Sequence, residues 1–320
     1  MVRILRDRDI RELVDLPAVV SRLEQGYVAD ARGDVVPFPR SRIDARGTTL
    51  AWLGAAIPAQ NLLAFRSYLY RSDGYDRGEQ VVALYGHSEM ELRALFVGRL
   101  VGNLRTGAAI AAAFHLADPG LQRFGLIGTG HQARNALACI AATFRSPRVA
   151  AWSPRPDHRR SFRDWGRAAL GIEVDLAEDV PDVLRAASAV ALVTSSETPV
   201  ITSAMMPDPK LLLSINAYRR PEIDLPLLDA VPWIWTDSVA QASGPGTLFE
   251  GAERRSKLRP LGTGLVDGTL PDARTTRLIL NTGAAWEELA VAQTLFERAE
   301  SRGAGTELTL PPETVEETVF

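Results

Sequence analysis

The 320-residue chain has little of what marks several function classes. It has one cysteine, Cys139, so no disulfide framework holds it together. That thiol falls among apolar residues inside a segment of helical periodicity, the setting of a packed, inert side chain rather than a nucleophile. Its four histidines, His87, His115, His131 and His158, lack metal-ligand spacing, so no metal is expected. No run reaches the roughly 18 apolar residues of a membrane span. The first residues carry no apolar core of signal length, and a cytoplasmic protein is expected. Formal net charge is only −3, with lysine and arginine scattered, which argues against a nucleic-acid or membrane surface. Repeats and low-complexity blocks are missing too. What remains, 46% hydrophobic and 23% charged, is the composition of a globular protein long enough for two domains.

The most informative stretch is Phe124-Gly125-Leu126-Ile127-Gly128-Thr129-Gly130-His131-Gln132-Ala133. An apolar strand, Gln122–Ile127, ends in a glycine pair and opens into a helix whose Ala133, Leu137, Ile140 and Phe144 share one face. This is the βα turn of a dinucleotide-binding fold, in the form G-x-G-x-x-A. Gly128 permits the tight turn, Gly130 lets backbone approach a pyrophosphate, and Ala133 lets helix and strand lie close. The helix N-terminus offers N–H groups to the phosphates. The next strand, Arg148–Trp152, is followed by Ser153-Pro154-Arg155. An acid for the ribose hydroxyls is missing there, and Ser153 and Arg155 suit a 2′-phosphate, which favours NADP(H) over NAD(H).

Before this turn, Asp9 to about Ala31 has the apolar stripe of one helix. Two prolines make Val35–Asp44 extended, with Arg40 and Arg42 directly after them. Leu50–Ile57, Leu62–Tyr70, Gln80–Tyr85 and Glu91–Val97 read as strands. Arg66 sits in the middle of one, facing either solvent or a pocket where a guanidinium fork suits a carboxylate. Arg99–Ala117 is an Ala- and Gly-rich helix, and its Arg105 is either a surface residue beside a packing glycine or a cation aimed at an anionic ligand. Asp118-Pro119-Gly120 marks a domain boundary. After the turn, βα alternation continues. Ala189–Thr194 and Lys210–Asn216 read as strands, and Thr194, Ser195 and Asn216 lie at their C-terminal ends, where ligands sit in such sheets. Asp237 reads as a helix cap. Thr276–Leu280 is a last strand, Ala284–Ser301 a last helix with Trp286, Leu289 and Phe296 on one face. The polar tail from Gly303 ties back to the N-terminal part. The expected fold class is α/β. A Rossmann domain spans 119–302, and a mixed α/β substrate-binding and dimerisation domain spans 1–118 with about 303–320 returning.

The paired blocks Arg105-Thr106-Gly107-Ala108-Ala109 and Gly128-Thr129-Gly130-His131-Gln132-Ala133 resemble the ornithine cyclodeaminase/μ-crystallin family. Pro39–Asp44, Val193–Ser196, Pro221–Asp224, Thr236–Ser238 and Gly283–Ala290 match further segments in the same order. The resemblance implies a homodimer joined through the sheet of the first domain, which is built from the N-terminal part plus the last helix or tail, and a nicotinamide enzyme that oxidises an amine or reduces an imine. Substrates usually carry an α-carboxylate, and Arg40 and Arg105 are similar to the family's carboxylate-binding arginines. The sequence departs from the family twice. Arg66 stands where a lysine is usual, and a guanidinium does not readily exchange its proton near neutral pH. The family's aspartate after the apolar strand is replaced by Asn216-Ala217-Tyr218, which makes Tyr218 the candidate proton donor. Both departures weigh against a cyclodeaminase, the alternative lyase reading. A homologue that binds cofactor and ligand without turnover is the third reading. An imine reductase or amino-acid dehydrogenase is expected, with Arg40, Arg66, Arg105 and Tyr218 handling the substrate. Gly128–Ala133, Ser153, Arg155, Thr194, Ser195 and Asn216 would handle the cofactor.

Overall fold

The computed structural model describes residues 1–71, 78–206, 208–269 and 274–309. Two sheets divide them. The first has seven strands in the order Thr306–Leu308, Val2–Arg6, Glu91–Val97, Gln80–Gly86, Leu62–Arg71, Thr48–Ile57, Val36–Ala45. Alternation decides its faces, because successive side chains of a strand point oppositely. Leu62, Ala64, Arg66 and Tyr68 are buried on the inner face, whereas Phe65 and Leu69 stay exposed on the outer one. Helices Leu16–Ala31, Leu100–Ala117 and Ala285–Arg302 pack together behind the inner face.

The second sheet has eight strands, all parallel, in the order Leu258–Pro260, Ile234–Thr236, Arg277–Leu280, Leu211–Ser214, Ala189–Leu192, Arg123–Ile127, Arg148–Trp152, Val174–Leu176. The chain runs outward to one side of Arg123–Ile127 and then returns to its other side. The switch point therefore lies between Arg123–Ile127 and Ala189–Leu192, where such sheets open a ligand crevice.

Glycine makes the joins between the layers. A Cβ on Gly26 would lie 2.6 Å from the Trp286 ring, which packs edge-on to Tyr27 at 4.8 Å between ring centres. A Cβ on Gly107 would lie 2.5 Å from the Asn135 backbone. The small-residue helix thus crosses helix His131–Thr143 at backbone contact. This brings Asn103 to 3.5 Å from the His131 ring.

Several elements differ from the sequence-based expectation. The single helix from Asp9 is two, Asp7–Leu13 and Leu16–Ala31, because Asp15 caps the second through Ala18 N–H and Pro17 occupies its first turn. The last helix, which a boundary at 302 leaves with the nucleotide-binding half and the family resemblance gives to the first domain, packs on the seven-stranded sheet. Thr306–Leu308 pairs with Val2–Ile4, and the remainder of the expected returning tail, 310–320, lies outside the described residues. Asp237 does not cap the helix that follows it. Ser238 does so through Gln241 N–H. Among the described residues, no helix is long and apolar enough to cross a membrane.

Candidate active site

The crevice is shaped by backbone. Gly128 has φ +108°, a conformation that side chains disfavour, and a Cβ there would strike Val193 O at 2.5 Å. In front of Gly130 a Cβ would meet nothing within 4 Å. That open space faces the start of helix His131–Thr143, which no side chain caps. Free N–H groups and open space together fit a dinucleotide pyrophosphate. Ala133 is fully buried, as close helix–strand packing requires. Gln132 Oε1 is buried without a hydrogen-bond partner.

Around this turn, Thr129 and Ser153 join their hydroxyls at 2.7 Å. Asn216 donates from Nδ2 to Thr194 O at 2.7 Å, and Ser195 O accepts from Arg220. Behind them Glu222 is fully buried and accepts from the Thr194 and Ser214 hydroxyls. Burial pushes its carboxyl above the usual carboxylate range. Sequence reading did not single out Glu222 as the residue that fixes two strand ends. Arg155 is exposed and pairs with Asp157 at 3.0 Å, which holds that carboxyl down at about 2. Cys139 is buried and its thiol is pushed up to about 12, as an inert packed side chain requires.

The second half of the site is a cluster of arginines around Thr282–Glu288. Arg40 donates from Nη1 to Thr282 O at 3.3 Å and from Nη2 to Gly283 O at 3.1 Å. Its Nη1 also lies 3.4 Å from the Tyr218 hydroxyl, a long contact. Gln241 shares the same two carbonyls and accepts from Arg40 N–H. Arg105 lies against Gly283 and donates to Glu288 at 3.1 Å and Glu287 at 3.4 Å. Arg66 pairs with Glu288 and donates to Gln80 at 2.5 Å, so it faces inward rather than to solvent.

Asp237 holds the whole turn in place. Its carboxylate accepts from Thr282 N–H at 2.7 Å, the Thr282 hydroxyl at 2.9 Å and Ala284 N–H at 2.7 Å. It thereby satisfies donors at the start of the last helix. Glu287 is fully buried and accepts from Asn281; burial, then nearby Asp237, pushes its carboxyl well above the usual range. Asp237, Glu287 and Glu288 belong to the site, yet sequence reading gave them no role in it. Tyr218 ties the halves together, since it follows Asn216 at the end of strand Leu211–Ser214 and touches Arg40.

A family model, the ornithine cyclodeaminase/mu-crystallin family, matches residues 4–303. The chain belongs to this family. It is 26% identical to an iminosuccinate reductase of Paracoccus denitrificans, over 95% of this chain and 99% of that one. It is 27% identical to a Delta(1)-pyrroline-2-carboxylate/Delta(1)-piperideine-2-carboxylate reductase of Azospirillum brasilense, over 93% of this chain and 96% of that one. Among solved structures, a Thermococcus litoralis Delta(1)-pyrroline-2-carboxylate reductase in complex with NADH and L-proline superposes with a TM-score of 0.84. It is 19% identical and covers 96% of this chain and 100% of its own, so it bears on the fold alone.

Proposed function

We propose that the protein is an NAD(P)H-dependent reductase of imines, acting on the C=N bond of a small carboxylate-bearing substrate, or the equivalent amino-acid dehydrogenase. The observation that carries this reading is the Arg40–Tyr218 contact of 3.4 Å, which sets a cation and a hydroxyl side by side next to the nucleotide crevice. Relatives that act on cyclic and open-chain imino acids support it.

A nicotinamide, when bound in the crevice, would supply the hydride. The chain's own residues do the rest. Arg40 and Arg105 orient the substrate by its carboxylate, and orientation carries much of the rate in such a reaction. Tyr218 holds a proton at its phenolic oxygen for the imine nitrogen, with Arg40 beside that oxygen. Arg66 acts as a fixed charge. Gly128–Ala133, Thr129 with Ser153, and Thr194, Ser195 and Asn216 line the cofactor's side.

For the cofactor we favour NADP(H). No acid directly follows strand Arg148–Trp152, and Arg155 and Arg160 lie at the start of the next helix. Asp157 competes with a phosphate for Arg155. We also favour a homodimer in the cytoplasm. Phe38, Ile43, Leu50, Phe65 and Leu69 are exposed on one side of the seven-stranded sheet, an apolar area larger than isolated surface residues make. The substrate and dimer unit then comprises about 1–118, the last helix and the strand after it.

The test is nicotinamide oxidation by purified protein with a panel of cyclic and open-chain α-imino acids, using NADPH and NADH in turn. Net oxidation with any member, faster with NADPH, is the expected result. Ammonia release from a diamino acid without net nicotinamide change would point to the lyase instead. Tight cofactor binding with no turnover would point to a non-catalytic homologue.

A further inference from the structure

One buried acid joins the end of strand Ala189–Leu192 to the turn that carries Tyr218. Glu222 is fully buried. Its Oε1 accepts from the Thr194 hydroxyl and its Oε2 from the Ser214 hydroxyl at 2.7 Å, and the Asn216 side chain adds a further hydrogen bond. Its backbone is engaged as well, because Glu222 O accepts from Val200 N–H at 2.7 Å and Ile201 N–H at 3.1 Å.

Each hydroxyl passes the connection on to backbone. Thr194 Oγ1 accepts from Ser196 N–H at 3.0 Å. Ser214 Oγ accepts from Asn216 N–H at 3.1 Å and Ala217 N–H at 2.8 Å. A hydroxyl has one proton to give and two lone pairs to accept with, and Ser214 uses all three. A carboxylate can only accept, so it sets the direction of the chain: both hydroxyl protons point at Glu222 and their lone pairs are left for the N–H groups. Asn216 closes the turn. Its O accepts from Arg219 and Arg220 N–H, each at 2.9 Å, and its Nδ2 donates to Thr194 O at 2.7 Å. Tyr218 sits within that turn, with its hydroxyl 3.4 Å from Arg40 Nη1.

We propose that Glu222 is a positioning residue: through Ser214 it holds the Asn216–Arg220 turn that places Tyr218, and through Thr194 it holds the loop on the cofactor's side. This deepens the proposed function and rests on it. The carboxylate lies behind these groups and acts only through them. Its effect on rate comes from where the phenol stands, and a misplacement of about 1 Å can cost on the order of 100-fold.

The test is a double-mutant cycle on the whole chain. It is read as kcat for an α-imino acid of the panel and as the dissociation constant of NADPH or NADH, whichever binds. Glu222→Gln keeps the shape but sets an amide N–H where a hydroxyl must donate, so kcat should fall about 30-fold and dinucleotide binding weaken about fivefold. Ser214→Ala should lower kcat about tenfold with dinucleotide binding within about threefold of wild type, and Thr194→Val should weaken dinucleotide binding about tenfold. In a Tyr218→Phe background, Glu222→Gln should lower kcat less than about threefold further, because the group it positions is gone. A general loss of structure would multiply the two losses. Hydrogen exchange over residues 215–222, followed by mass spectrometry, needs no turnover and should quicken about tenfold in Glu222→Gln and in Ser214→Ala. If Glu222→Gln does not fold, Ser214→Ala carries the same cycle. Multiplied losses in the cycle, or wild-type kcat and exchange in a folded Glu222→Gln protein, overturn the proposal. Wild-type kcat in Tyr218→Phe removes the donor and the proposal with it. No turnover of any imine, with exchange and dinucleotide binding shifted as stated, overturns the reductase reading and leaves the positioning assignment standing. No turnover with both unchanged overturns both.

Discussion

The crevice beside Gly128–Ala133 and the arginine cluster are built by different means, and on the proposed function each holds an anion. In the crevice the parts are backbone: a positive-φ glycine, open space before Gly130 and an uncapped helix start. In the cluster the parts are side chains from separated segments, Arg40, Arg66, Arg105, Asp237, Glu287 and Glu288, packed into a largely buried region. Backbone carries no titratable charge and tolerates little change of shape. Buried charges tolerate little change of partner or of pH. The first half should therefore fail to steric changes and the second to electrostatic ones.

The largest effect is expected at Gly128. Gly128→Ala sets a Cβ against the Val193 carbonyl at 2.5 Å and forces φ +108° on an alanine. Strain and clash together should cost roughly 2–4 kcal/mol of stability. Dinucleotide affinity should fall about 100-fold, the equivalent of roughly 3 kcal/mol. Denaturant unfolding and cofactor fluorescence titration measure the two. Unchanged affinity would break the claim that this turn is the cofactor's seat.

A smaller effect, confined to the charged half, is expected at Asp30. Burial, with Asp237 adding to it, raises its carboxyl to about 6. A carboxyl raised in the folded state binds more protons there than in the unfolded chain between about pH 4 and 6. Stability contributed by the neutral form is thus present below about pH 4 and is lost as pH rises through 6. Asp30→Asn should remove that fall, stabilising the protein at pH 7 by roughly 1–3 kcal/mol and leaving it little changed at pH 4. Unfolding curves at the two pH values check the sign. An equal effect at both would mean that Asp30 does not titrate as its surroundings imply.

The same division explains how much the sequence disclosed. The crevice was legible because its signals are local: a glycine pair, an apolar strand before it and a periodic helix after it lie within about twenty residues. The cluster was half legible. Arg40 and Arg105 stood out through their motifs, but alternation alone left the direction of Arg66 open. Its position opposite Leu53 and Val82 puts it on the inner face. Glu287 and Glu288 were masked because acids in a helix's first turn are ordinary complements to its dipole. Only the burial of that turn among the sheet and two other helices makes them part of the site. Asp237 was misread for a related reason. A local cap is the simplest role for an acid before a short helix, yet its partners lie 45 and 47 residues further on. Strands such as Val2–Arg6 and Leu258–Pro260 were missed because a short segment has no period to read, and their pairing partners are distant or equally short.

The most direct measurement of the account is Arg40→Gln, read twice on the same preparation. The Michaelis constant for the imino acid should rise about 100-fold, as loss of a charged contact to a carboxylate predicts. The dissociation constant of the dinucleotide should stay within about twofold of wild type. A rise in the first alone is the predicted result. An unchanged Michaelis constant, or parallel losses in both, would contradict the assignment of the arginine cluster to the substrate and the crevice to the cofactor.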